Sequence, residues 1–125
     1  MIEEDFVSIE IAKLLEEKGF DGEDCFAYYN ENGEIGFLQT FGDIADFYSE
    51  TCVPTPSLGL AMKWLRTVHN IAINIGWGEI FEDKFRWWCI ILNLKDGTIL
   101  RESEYYATYE DAVEAAIKYC LKNLI

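Results

Sequence analysis

Between Lys18 and Lys63 the chain contains no lysine and no arginine. Proteins that hold phosphate backbones do so with those two side chains, so this stretch excludes a nucleic-acid grip. Histidine is scarce as well, with His69 alone in 125 residues. A His-based triad would have to be built around that one position, which falls at the end of an expected helix, where an imidazolium suits the last carbonyls. The nine glycines are dispersed and form neither GxGxxG nor GxxxxGK[ST], so no phosphate-cradling loop is present. Ser49, Ser57 and Ser103 lack a G-x-S-x-G elbow. The four cysteines (Cys25, Cys52, Cys89, Cys120) include no CxxC pair, which removes the usual zinc and redox signatures. They read as small buried hydrophobes with free thiols. No run approaches the roughly 18–20 apolar residues that span a bilayer. The start, Met1-Ile2-Glu3-Glu4-Asp5, is acidic where a signal peptide is basic, so the expected location is the cytoplasm, with no membrane partner.

Acid is what the chain has in excess. Residues 1–50 carry fourteen acidic side chains against two basic, whereas residues 51–125 carry nine against eight. The whole is at −13, yet half of the residues are apolar and 15% are aromatic. That composition supplies a core, unlike a disordered acidic tail. At 125 residues a single domain, 1–125, is the economical expectation.

Periodicity places the elements. Val7, Ile11, Leu14, Leu15 and Lys18 share one side of a helix near 8–18, with Ser8 as N-cap and Gly19 closing it. Strands over 25–29 and 34–41 flank Asn30-Glu31-Asn32-Gly33, a hairpin signal. Residues 42–53 are ambiguous and allow a short helix ending at Val53-Pro54. Thr55 and Pro56 open a helix that runs to His69, with Leu58, Ala61, Met62, Leu65 and Val68 inward. Strand 71–77 alternates and suggests a sheet covered on one face. Strand 85–94 is apolar on both faces, hence central and covered on both sides or buried by a partner. Lys95-Asp96-Gly97 turns it into strand 98–102. Thr108 and Asp111 cap a last helix whose apolar positions, Tyr109 to Leu124, recur at helical spacing. The expected fold is α+β: a mostly antiparallel sheet of about five strands with two or three packed helices, in the order α-β-β-(α)-α-β-β-β-α.

The candidate sites are few, and none is catalytic, cofactor-binding or metal-ligating. Asp21-Gly22-Glu23-Asp24 offers oxygens and a glycine but lacks the alternating carboxylates and distal Glu of a calcium loop, so it reads as a solvated turn. Together with Glu31, Glu34, Asp43, Asp46 and Glu50, residues Asp21, Glu23 and Asp24 form a candidate acidic surface. Trp87 and Trp88 are adjacent on a strand and must point to opposite faces. With Tyr105 and Tyr106 they make the candidate interface, since Trp and Tyr bring large area and a polar tip; Tyr28-Tyr29 is a third such pair. Residues 57–125 repeat the α-β-β-β-α order of double-stranded RNA-binding domains but lack their basic cluster.

Three readings follow. The first is a non-enzymatic module that self-associates or binds a protein partner. The second is an acidic mimic of DNA, an anti-defence inhibitor seated in the groove of a basic nucleic-acid-binding protein. The third is an enzyme or divalent-metal binder of unfamiliar type. Further, Pro54-Thr55-Pro56-Ser57-Leu58, Ala61-Met62-Lys63-Trp64-Leu65-Arg66 and Asn70-Ile71 resemble a widespread group of short proteins from gut bacteria and their phages or mobile elements. The helix from Ser8 to Phe20 and the segment Tyr109–Ile117 share in that resemblance. It implies a small accessory protein and assigns no activity or site residue.

Overall fold

The computed structural model describes residues 5–22, 24–37 and 52–125, which form two compact units, Met1–Gly59 and Leu60–Ile125. In the first unit, helix α1 (Ile9–Glu17) begins where the Ser8 hydroxyl accepts the Ile11 N–H at 3.3 Å. It stops by a Schellman closure: Gly19 N–H donates to the Glu16 carbonyl and Phe20 N–H to the Leu15 carbonyl. That closure needs a left-handed residue, and Gly19 takes φ +98°. Ile11, Ala12 and Leu15 form its buried stripe.

Strands β1 (Ala27–Tyr29) and β2 (Ile35–Phe37) pair antiparallel around the expected Asn-Gly turn. Asn30 Oδ1 organises that turn by accepting the N–H groups of Asn32 (2.9 Å) and Glu34 (3.0 Å). On the other edge of β1 lies β3 (Val53–Pro54), so the sheet order is β2-β1-β3. Val53-Pro54 therefore extends as an edge strand, where a proline's missing N–H is harmless. The optional helix over 42–53 lies largely outside the described residues. Thr55 is no helix cap: its N–H donates to the Ala27 carbonyl at 3.0 Å, and Ser57 bridges Phe6. Helix α2 (Leu58–His69) starts only after that extended stretch.

In the second unit, β4 (Ile71–Phe81), β5 (Lys84–Asn93) and β6 (Ile99–Glu102) form an antiparallel sheet with β5 in the centre, as its double apolar pattern requires. Helix α3 (Tyr109–Tyr119) packs on β4 and β5 and closes in a π-helical turn, Cys120–Leu124. Its start matches the expected cap, with Asp111 N–H donating to Thr108 Oγ1 at 3.1 Å. Ala112, Val113, Ala116, Ile117, Cys120 and Leu121 are buried on it, and Cys89 and Ile91 on β5. In α2 the buried positions are Leu58, Ala61 and Leu65, while Val68, expected inward, is exposed.

The class is thus α+β. A single sheet of about five strands is not what forms: among the described residues there are two sheets of three strands each. The physical reason is that Val53–Pro54 occupies the second edge of β1, which completes the N-terminal hairpin as a sheet of its own. Among the described residues no helix is long and apolar enough to cross a membrane.

An aromatic ladder on the overhanging hairpin

Cover on the second sheet is divided along its length. Ile71, Ala72 and Ile73 are all buried, although they alternate in direction, and exposure grows toward Phe81. This corrects the expected face-by-face division. Lengths explain it. An eleven-residue strand such as β4 reaches roughly 36 Å at about 3.3 Å per residue. Tyr109–Leu124 reaches only about 24 Å at 1.5 Å per residue. The β4–β5 hairpin outruns its helix.

The overhang carries rings. Register pairs Trp77 with Trp87 and Glu79 with Phe85, which puts these side chains on one face. Phe85 stacks on Trp77 at 4.9 Å and 15°, Trp77 leans on Trp87 at 6.2 Å, and Trp87 meets Tyr109 edge-on at 5.4 Å. The four rings form one ladder running out from the helix start. Trp77 is 55% exposed, Phe85 42%, and Phe81 beyond them 68%. The tip is tight: only Glu82 and Asp83 separate the strands, with Asp83 at φ +56° and its N–H donating to Glu79 Oε1.

The expected interface residues divide between the two faces. Trp87 belongs to the ladder and is partly covered by Tyr109. Trp88 points the other way, where Tyr105 meets it edge-on at 6.1 Å. With Glu79, Ile80, Glu102, Ser103 and Tyr105 it lines a cleft of about 420 Å³. Trp88 also lies across the backbone of Gly76, where a Cβ would collide with the indole. Tyr106 exchanges two backbone hydrogen bonds with Trp87, at 2.8 and 2.7 Å, and extends the sheet past β6. Burial, with the Glu104 carboxylate adding to it, pushes the Tyr106 hydroxyl up from its usual value.

Of the acidic candidates, Asp21, Asp24, Glu31 and Glu34 are exposed. Glu23, Asp43, Asp46 and Glu50 lie outside the described residues. In the Tyr28-Tyr29 pair, the Tyr29 hydroxyl donates to the Val7 carbonyl at 2.8 Å, and the Tyr28 ring covers Gly36. Among the described residues of the first unit the exposed rings are Phe26 and Phe37, which cluster with Phe6 at 5.6–6.2 Å between centroids.

His69 ends α2 with its ring edge-on to Trp64 at 4.7 Å, and its Nε2 is buried without a hydrogen-bond partner among the described residues. None of the four cysteines is in a disulfide, and Cys25, Cys89 and Cys120 are buried. Burial pushes the Cys25 thiol up to about 12, with Asp24 and Asp21 adding to it, and Cys120 to about 12, with Cys89 adding to it. Such thiols stay protonated at neutral pH and are poor nucleophiles. Among the described residues no three His, Cys, Asp or Glu side chains gather as a metal site.

Sequence reasoning found Trp87 and missed Trp77, Phe81, Phe85 and Tyr109 as parts of one surface. The signal was present in the alternation of Trp77 with Gly76 and Gly78, which continues beyond the expected strand end. Comparison with protein-family models, with curated proteins and with solved structures finds no match to this chain.

Proposed function

We propose that this chain is a protein-binding module that self-associates through the aromatic ladder of its second unit. The observation that carries the reading is the row Phe85–Trp77–Trp87–Tyr109, joined by successive ring contacts and left open at its outer end. Rigid aromatic rings make contact area at low entropic cost, and such anchors dominate interface energies. Charge favours a second copy as the occupant. Residues 60–125 carry nine acidic and eight basic side chains, so two such units meet without net repulsion. An accessory role of this kind fits the resemblance to short phage and mobile-element proteins.

Trp77 sets the magnitude. With 55% of the side chain exposed and a full indole area near 250 Å², about 140 Å² is open to a partner. Burying it at ~25 cal/mol per Å² contributes roughly 3.5 kcal/mol, or about three hundredfold in affinity. Sedimentation velocity at micromolar concentration is expected to show a dimer or larger species, and Trp77→Ala to shift it toward monomer. A monomeric parent, or a Trp77→Ala variant that associates as tightly, would sink the reading.

A further inference from the structure

We propose that the groove between β6 and α3 binds a small organic anion. The groove encloses about 240 Å³, room for roughly eight waters at about 30 Å³ each. It therefore suits a molecule smaller than the drug-sized ligands of larger clefts. Cys89 and Ile91 of β5 and Ala116 of α3 supply an apolar floor, and Arg101, Lys118 and Lys122 stand around it. Three of the eight cationic side chains of residues 60–125 thus line one groove, in a protein whose net charge is −13.

Arg101 is the centre of the site. Its guanidinium lies over the Tyr119 ring, 4.2 Å from the centroid. A guanidinium carries an N–H fork that takes a phosphate or carboxylate through two parallel hydrogen bonds. Among the described residues no carboxylate pairs with Arg101. Lys118 and Lys122, one helical turn apart, line the same groove and each holds a further contact. The ligand class is set by the two halves of the groove: an anionic head on Arg101, and a short apolar body on Cys89, Ile91 and Ala116. Phosphate monoesters and carboxylates share that chemistry.

The test is an amide NMR titration of the full chain with phenyl phosphate, benzoate, inorganic phosphate and phenol. Phenyl phosphate or benzoate is expected to give saturable shifts confined to 101–106 and 115–123, and whichever binds tighter identifies the head group. Inorganic phosphate is expected to bind at least about tenfold more weakly for want of the apolar body, and phenol not to saturate. Arg101→Gln should weaken the better ligand at least about tenfold, while Lys84→Gln, an equal charge change on the hairpin tip, leaves it unaltered. Lys122→Gln gives an intermediate loss and keeps the test decisive if Arg101→Gln perturbs the fold. Shifts that never saturate, or equal weakening by Arg101→Gln and Lys84→Gln, would overturn the site and reduce it to diffuse charge.

Discussion

Adding one methyl group to Gly76 is expected to destabilise the protein, and adding the same group to Gly78 is not. A Cβ on Gly76 runs into the Cε2, Cζ2 and Nε1 atoms of Trp88, whereas one on Gly78 meets the same indole at 3.4 and 3.6 Å, ordinary contact. Three effects compete. Replacing glycine by alanine stabilises by about 0.4–1 kcal/mol through the unfolded chain where the native conformation accepts it. Forcing a methyl into occupied space costs about 1–3 kcal/mol. A displaced Trp88 also gives up part of its edge-on contact with Tyr105, a pair worth ~0.5–1.5 kcal/mol. At Gly76 the two costs win, for a net loss of about 1–3 kcal/mol; at Gly78 only the gain remains. Urea unfolding followed by far-UV circular dichroism reads this as a midpoint roughly 1 M lower for Gly76→Ala, at a slope near 2 kcal/mol per M. The cause is isolated in a Trp88→Leu background, where the Gly76→Ala loss should shrink to near zero. A loss of equal size in both backgrounds, or Gly78→Ala as damaging as Gly76→Ala, would refute the placement of the indole.

Thr108→Ala removes the acceptor of the Asp111 N–H and is expected to cost about 1 kcal/mol, with Thr108→Ser retaining most of it; an unchanged urea midpoint for the alanine variant counts against the cap. Cys52, partly exposed, should react with a thiol reagent in the native protein well before Cys25, Cys89 and Cys120, which are buried; four equal rates would contradict that burial. Because Cys25 and Cys120 remain protonated in the folded state up to about 12 but ionise near the ordinary thiol value of 9.0 when unfolded, the unfolded chain holds fewer protons above pH 9. Stability should therefore be intact below pH 9 and fall from there toward 12, by at most ~1.4 kcal/mol per pH unit per thiol. A flat urea midpoint between pH 9 and 11 would oppose this.

Wherever the neighbours along the chain set the outcome, the residues could be read directly. Ser8 and Gly19 bound α1, Thr108 caps α3, and Asn30 with Gly33 turns the first hairpin, because each acts on backbone groups within a few positions. The strand 85–94 could be identified as central from its two apolar faces, and the opposed directions of Trp87 and Trp88 follow from the pleat alone. What escaped were pairings between distant segments. Val53–Pro54 shows no strand periodicity over two residues, yet β1 recruits it, and the recruitment divides the expected sheet in two. The same pairing leaves Thr55 hydrogen-bonded to Ala27 and delays α2 to Leu58.

The two surfaces of interest arise from lengths and registers in the same way. Amino-acid order alone determined the charge asymmetry, the α+β class, the caps and the alternation of aromatic directions, all consequences of local stereochemistry. Tertiary structure alone decided that β4 outruns α3, that Trp77 lands opposite Trp87, and that Arg101 stands beside Lys118 and Lys122 over a shared groove. Those outcomes depend on how far one element extends past another and on which residue faces which across a ladder. Such quantities are fixed by packing between segments tens of residues apart, and no window of sequence contains them.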